Sequence, residues 1–421
     1  MHSEEQSIGS GSGLIDAIAD WLISESLGNS TVETLFEGAC TRLHSAGIPL
    51  WRVALAFRTL HPLFGSVTLI WQRETEGLEV MGHRHGLADT SEAWKRSPFY
   101  HMLNTGVPFL RRRLDGPDAL LDFPILPEIK EKGATDYLAY AVEFGGEKRG
   151  DHEPDDGIIV SWTADRPGGF SDQDIQALLR IQRRLAVACK VTIREQITDN
   201  ILTAYLGPDA GQQVKRGQIQ LGMGENIHAV IWFSDLRNST GMADTLPPDD
   251  YLNAVNDYFD GTAGAVLANN GEVLRFIGDA VLAIFPIRKK GKAAAQRACR
   301  NALKAAEESN RRMREINARR LEEGGPILNY GVGLHLGDVM FGNIGVPERV
   351  EFSVIGPAAN EAARLENLTK TLRCPVLVSG EFAEVLDIEW QHMGTHDLRG
   401  VGDKMDVFVP PECECRMVAV A

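Results

Sequence analysis

Long apolar runs are missing from this chain of 421 residues. No stretch approaches the roughly 20 consecutive apolar residues that a helix needs to cross a bilayer, so no membrane span is expected. Basic residues are in deficit: 43 Lys and Arg stand against 58 Asp and Glu, a formal net charge of −15. A surface of that sign repels phosphate backbones and anionic headgroups, which excludes broad nucleic-acid or anionic-membrane binding. The opening Met1-His2-Ser3-Glu4-Glu5 has neither the basic flank nor the apolar core of a signal peptide. Cysteine is sparse, at positions 40, 189, 299, 374, 413 and 415. Only Cys413 and Cys415 are close, and no further Cys or His cluster accompanies them to complete a metal site. All six read as reduced thiols of a cytoplasmic protein.

What is present is ordinary for a globular protein, 43% hydrophobic and 24% charged, at a length that holds two or three domains. Residues 1–12, rich in Ser, Gly and Glu, read as a disordered lead-in. Residues 13–170 read as a regulatory domain. Helical spacing runs from Leu14 to about Leu43, followed by strand patterns at 51–57, 67–72, 78–81, 137–142 and 157–162. The irregular region between holds Arg111-Arg112-Arg113, a run that is usually a solvated loop and less often an anion site. His61, His83, His85 and His101 lack metal-ligand spacing and read as ordinary residues. Ser171-Asp172-Gln173-Asp174 is an N-cap cluster. It opens a helix through Leu178, Ile181, Leu185 and Ala188 to about Tyr205, the core of a signalling helix and linker over 171–225. Helix, strands, helix and long exit helix, in that order, resemble a GAF-type sensor domain over 14–195. Such domains bind small molecules or dimerise, so a small-molecule ligand is an expectation, with nothing in the sequence to name it.

From 226 to 410 strands alternate with helices, and 411–421 is a tail. The expected elements are a helix at 248–268, a hairpin around Asp279, a helix at 293–318, a strand at 329–336, a hairpin at 338–345, a strand at 350–355, a helix at 358–369 and a strand at 375–379. Two aspartates interrupt apolar strands here. One ends Ala229-Val230-Ile231-Trp232-Phe233-Ser234-Asp235-Leu236, and the other follows Gly278 in Arg275-Phe276-Ile277-Gly278-Asp279. A carboxylate in such a place is costly unless a charge meets it, and two that converge repel. A divalent cation with a taste for hard oxygen, Mg²⁺ or Mn²⁺, removes both costs. One such aspartate alone reads as a turn former or helix cap; two in apolar strands favour metal. The turn Leu236-Arg237-Asn238-Ser239-Thr240-Gly241 is suited to cradling phosphates with backbone N–H groups. Farther on, Pro357 suits a helix first turn, and Asn360 and Arg364, four apart, share one helix face. An amide beside a guanidinium suits a hydroxyl and a phosphate oxygen; without the aspartates, a solvated face would be the better reading.

These motifs, Phe233-x-Asp235, Arg275-Phe276-Ile277-Gly278-Asp279, Gly331-Val332-Gly333-Leu334-His335-Leu336-Gly337-Asp338, Gly342-Asn343-Ile344-Gly345 and Val354-Ile355-Gly356 followed by Asn360 and Arg364, resemble in order those of class III nucleotidyl cyclases, most of all bacterial adenylate cyclases of the rhizobial type. The resemblance implies an α+β chain: a ferredoxin-like βαββαβ catalytic core preceded by an α/β GAF-like domain and a helical linker. It implies that Asp235 and Asp279, with the Leu236 carbonyl, hold two Mg²⁺ or Mn²⁺ ions, that Asn360 orients the ribose, and that Arg364 stabilises the α-phosphoryl charge. It further implies a head-to-tail homodimer, because the metal aspartates and the Asn/Arg pair of one site come from different subunits in this family.

Base choice in this family rests on two positions, here Arg275 and Ser353. Arg only donates and Ser can accept, which complements the N1 acceptor and N6 donor of adenine. Cytosine remains open, guanine is disfavoured because its N1 and N2 donors face a donor, and Arg275 pairing with a neighbouring acid is the structural alternative. Asn238-Ser239 stands where the family often has Gly-Phe. Val401 stands where some members place a Lys on the β,γ-phosphates, leaving Arg399 or Lys404 as substitutes. The expectation is an adenylate cyclase acting on ATP. The alternatives are a cyclase of other base specificity and a silent nucleotide-binding module, which the presence of Asp235, Asp279, Asn360 and Arg364 argues against. A diguanylate cyclase is disfavoured because the hairpin tip is Ile277-Gly278-Asp279-Ala280.

Overall fold

A computed structural model describes residues 2–86, 91–145, 156–289, 291–397 and 404–411. The chain divides into two compact units, Met1–Ala204 and Tyr205–Ala421.

The first unit begins with α1 (His2–Ser26) and α2 (Val32–Ser45). The single helical stretch expected from Leu14 is therefore two helices, and α1 takes in positions 2–12 of the expected lead-in. The break falls at Gly28-Asn29, poor helix formers, and α2 restarts at Thr31, whose hydroxyl accepts from the Thr34 amide. Then come β1 (Leu50–Arg58), β2 (Phe64–Gln72), β3 (Leu78–Arg84), α3 (Glu92–Lys95), α4 (Pro98–Thr105), β4 (Phe109–Arg113), α5 (Ile125–Glu131), β5 (Asp136–Glu143), β6 (Gly157–Ala164) and α6 (Asp172–Leu206). The six strands form one antiparallel sheet in the order β3-β2-β1-β6-β5-β4. Leu22, Phe36, Val53, Trp162, Leu178 and Leu185 share the main core of this unit, which joins α1, α2 and α6 to the sheet.

The arginine run is a strand, β4, and not a loop. Arg111 donates from Nη2 to the fully buried Asp136 at 2.7 Å, and Asp136 also accepts from the Phe170 amide at 3.1 Å. Arg112 donates twice to Asp122. A buried carboxylate needs such partners. His83 bonds Thr68, and His85 bonds the His61 carbonyl.

The second unit comprises α7 (Pro208–Lys215), β7 (Gly224–Leu236), α8 (Ser239–Thr245), α9 (Pro248–Ala268), β8 (Glu272–Ile277), β9 (Ala280–Pro286), α10 (Lys292–Glu322), β10 (Tyr330–Val346), β11 (Arg349–Ile355), α11 (Pro357–Leu372), β12 (Val376–Ser379), α12 (Gly380–Ala383), β13 (Gln391–His396) and β14 (Met405–Val409). Its eight-stranded sheet runs β13-β14-β12-β10-β7-β9-β8, with β11 paired to β10 off that path. Alternation along β7 splits two cores. Val230 and Trp232 pack with Tyr258, Phe285 and Ala302 on the α9/α10 face. Ala229 and Ile231 pack with Phe341, Phe352, Ala358 and Ala362 on the other.

The hairpin expected at 338–345 is absent, because β10 continues unbroken to Val346 and turns only there, onto β11. Two glycines of β10 serve close approach. A Cβ at Gly333 would lie 2.5 Å from the Ala362 carbonyl oxygen, and one at Gly337 would lie 2.6 Å from the Ala358 Cβ. The bare strand lets α11 lie against the sheet. Cys40, Cys189 and Cys299 are buried free thiols. Cys374 is disulfide-bonded, against the expectation of six thiols; its wide sequence spacing from the other cysteines gave no sign of a partner. Among the described residues no helix is long and apolar enough to cross a membrane.

Candidate active site

Asp235 is the penultimate residue of β7, and its register partner on β9 is Ala280. Asp279 is therefore one residue from that pairing, at the tip of the β8–β9 hairpin. Gly278 turns the chain there with φ 63°, a conformation that costs glycine little. The two carboxylates feel one another. Burial first, and the Asp279 charge second, push the Asp235 carboxyl above its ordinary value, while the Lys370 ammonium pulls it down. Lys370 Nζ lies 3.3 Å from Asp235 Oδ2. A pair of hard oxygen donors, one of them half-buried and drawing in a cation, fits a divalent metal ion. Among the described residues no third His, Cys, Asp or Glu joins them, so further ligands would come from backbone or substrate oxygens.

α11 starts at Pro357, with Gly356 in the capping position before it. Its buried face is Ala358, Ala362, Leu365, Glu366 and Thr369; Asn360 and Arg364 lie on the opposite, exposed face. Two ionic ties seat this helix. Arg237, two residues after Asp235, sets Nη1 2.8 Å from Glu366 Oε1 and also donates to the Thr369 hydroxyl. Glu366 is 1% exposed, and burial pushes its carboxyl up to about 7 despite the guanidinium. On β10, the buried His335 sets Nε2 2.8 Å from Glu361 Oε2. Burial holds the imidazole below its ordinary value and raises the Glu361 carboxyl.

Arg275 sits on β8 and its guanidinium is ion-paired with Glu351 on β11. Ser353, two residues farther along β11, is buried. The structure thus shows the acid neighbour that the sequence held open for Arg275, and leaves Ser353 on the same strand face as that acid. Phe233 is half-buried and packs against the β7–β11 core. Asn238 is in the left-handed region, φ 58°, and opens α8, of which Ser239 is the first residue and Thr240 an exposed one. Lys404 is exposed just before β14, and Arg399 lies outside the described residues. Sequence reasoning missed Lys370, Glu351 and the Arg237–Glu366 tie. Each partnership joins segments far apart in sequence, and no local spacing announces it.

Residues 223–410 match the adenylate and guanylate cyclase catalytic domain. Adenylate cyclase 1 of Rhizobium meliloti is 29% identical over 178 residues, 42% of this chain and 26% of that protein. The adenylate cyclase of Anabaena cylindrica is 30% identical over 165 residues, 38% of this chain and 31% of that one. Among solved structures, the guanylyl cyclase Cya2 is 27% identical, covering 44% of this chain and 92% of that chain, with a TM-score of 0.39. The chain spans only 26% to 39% of the length of these and similar curated relatives. The likeness to this catalytic domain covers residues 223–410, a little under half of the chain.

Proposed function

We propose that the chain is an adenylate cyclase that converts ATP to 3′,5′-cyclic AMP and pyrophosphate. The observation that carries this reading is the convergence of Asp235 and Asp279 at adjoining strand ends. The names of the Rhizobium and Anabaena relatives support the choice of adenine. Asp235 and Asp279, with the Leu236 carbonyl, would hold two Mg²⁺ or Mn²⁺ ions. Bound there, the metal supplies Lewis acidity that lowers the pKa of the ribose 3′-hydroxyl and offsets charge on the departing pyrophosphate. The 3′-oxygen, its proton passing to solvent water, forms a bond to the α-phosphorus as the bond from that phosphorus to the β-phosphate bridging oxygen breaks. Asn360 orients the ribose, and Arg364 offsets charge growing on the α-phosphoryl oxygens. Phe233, Asn238, Ser239 and Thr240 line the turn beside the triphosphate, and Lys404 or Arg399 takes its far end.

The site is completed in a head-to-tail homodimer, one copy giving the aspartates and the other Asn360 and Arg364. Asn360 and Arg364 are exposed in the single chain, and apolar Phe276, next to Arg275, and Ile355, at the end of β11, are 51% and 53% exposed. Surfaces of this composition favour burial by a second copy. The six-stranded antiparallel sheet of the first unit, with α6 leaving it, supports a GAF-like regulatory domain that takes a small molecule and sets the catalytic dimer through α6. Deleting residues 1–195 without changing activity or its regulation would contradict that role.

Product analysis by mass spectrometry tests the catalytic reading. The full chain with Mn²⁺ and ATP should yield cyclic AMP, and Asp279→Ala should lower the rate by on the order of 10²- to 10³-fold. A folded wild-type chain that makes no cyclic nucleotide from any nucleoside triphosphate would refute it.

A further inference from the structure

The acid that holds Arg275 changes what this site offers to a base. Register between β8 and β9 slips between Val273 and Arg275, an irregularity that re-aims the side chain. The guanidinium then meets Glu351, although β8 and β11 are not hydrogen-bonded neighbours. Both side chains stay accessible, 37% and 45% exposed. Arg275 Nε is shielded from solvent and has no hydrogen-bond partner, so a donor remains unused. Glu351 shares its strand face with Ser353.

A guanidinium only donates and a carboxylate only accepts. Arg275 with Ser353 alone serves adenine and leaves the N1 and N2 donors of guanine facing a donor. Glu351 removes that mismatch: its carboxylate can accept from guanine N1–H and N2–H while the guanidinium donates to O6. The same pair serves adenine, with N6–H on the carboxylate and N1 on the guanidinium. We propose that Glu351 is a base-selecting residue which, with Arg275, forms a donor–acceptor pair that admits guanine beside adenine, so that this site cyclises GTP as well as ATP. The inference rests on the cyclase reading above.

The test compares kcat/KM for ATP and for GTP, with Mn²⁺, in the wild-type full chain, Glu351→Ala and Glu351→Gln. The wild type should form both cyclic products. Glu351→Ala should lower the GTP-to-ATP ratio about 10-fold or more, because a buried-edge donor without its acceptor is rejected strongly. Glu351→Gln, which keeps one acceptor and adds a donor, should fall between. A residue that merely props Arg275 would weaken both substrates alike, so an unmoved ratio overturns the inference, as does a wild type that forms cyclic AMP and no cyclic GMP. In both of those outcomes the cyclase reading stands. Absence of every cyclic product removes that reading and this inference together.

Discussion

Lys370 Nζ lies 3.3 Å from Asp235 Oδ2, so an ammonium from α11 already meets the carboxylate proposed to hold metal. A cation there competes with an incoming one. Replacing it with a neutral side chain should strengthen Mn²⁺ binding about 2- to 5-fold, the scale of a part-exposed charge pair. Electron paramagnetic resonance titration of Lys370→Gln with Mn²⁺, without nucleotide, measures this directly. Weaker binding would mean instead that Lys370 positions Asp235.

Burial and the Asp279 charge both raise the Asp235 carboxyl above its ordinary value. Asp235→Asn removes both costs. In metal-free buffer the variant should unfold at the same or slightly higher urea concentration, while cyclase activity falls by on the order of 10²-fold or more. A variant that loses stability without metal would show that the carboxylate is a structural cap and not a site held ready for a cation.

Gly333 brings α11 onto β10, and an added methyl would sit 2.5 Å from the Ala362 carbonyl oxygen and 2.6 Å from the Glu366 amide nitrogen. Both are backbone atoms that cannot step aside. Gly333→Ala should therefore cost about 1–3 kcal/mol and lower kcat by displacing Asn360 and Arg364. Denaturant unfolding and steady-state rates check the two halves separately.

His335 gives a pH dependence with a defined sign. Burial depresses its pKa, and the charged or titratable groups around it are Glu361 on α11, Glu381 on α12 and His228 on β7. A depressed group contributes stability that is present above the unfolded value, about 6.5, and is lost as pH falls through the folded value. Between pH 7 and 5 the wild type should lose stability more steeply than His335→Gln. Parallel stability curves for the two proteins would remove His335 from the account.

Much of the second unit was legible because its chemistry sits in local patterns. Asp235 and Asp279 stand out in apolar strands, and Pro357, Asn360 and Arg364 are ordered by helical spacing; the structure gives α11 one buried face and leaves Asn360 and Arg364 on the other. The hairpin expected at 338–345 was not legible as one long strand, because what fixes β10 there is tertiary: a side chain at Gly337 would meet Ala358, and one at Gly342 would meet the Met223 backbone. The ion pairs Arg275–Glu351, Arg237–Glu366 and Arg111–Asp136 were invisible for another reason. They depend on which strands and helices meet, and tertiary topology, not spacing, decides that.

A two-metal cyclase site shared between copies is tested most directly by mixing two inactive variants. Asp279→Asn and Arg364→Ala should each be nearly inactive as a full-length protein. Mixed in equal amounts and allowed to exchange subunits, they should recover about a quarter of wild-type activity, since half the dimers are mixed and each of those holds one intact site of two. A mixture no more active than its parts, or an Arg364→Ala protein with undiminished turnover, would contradict the account.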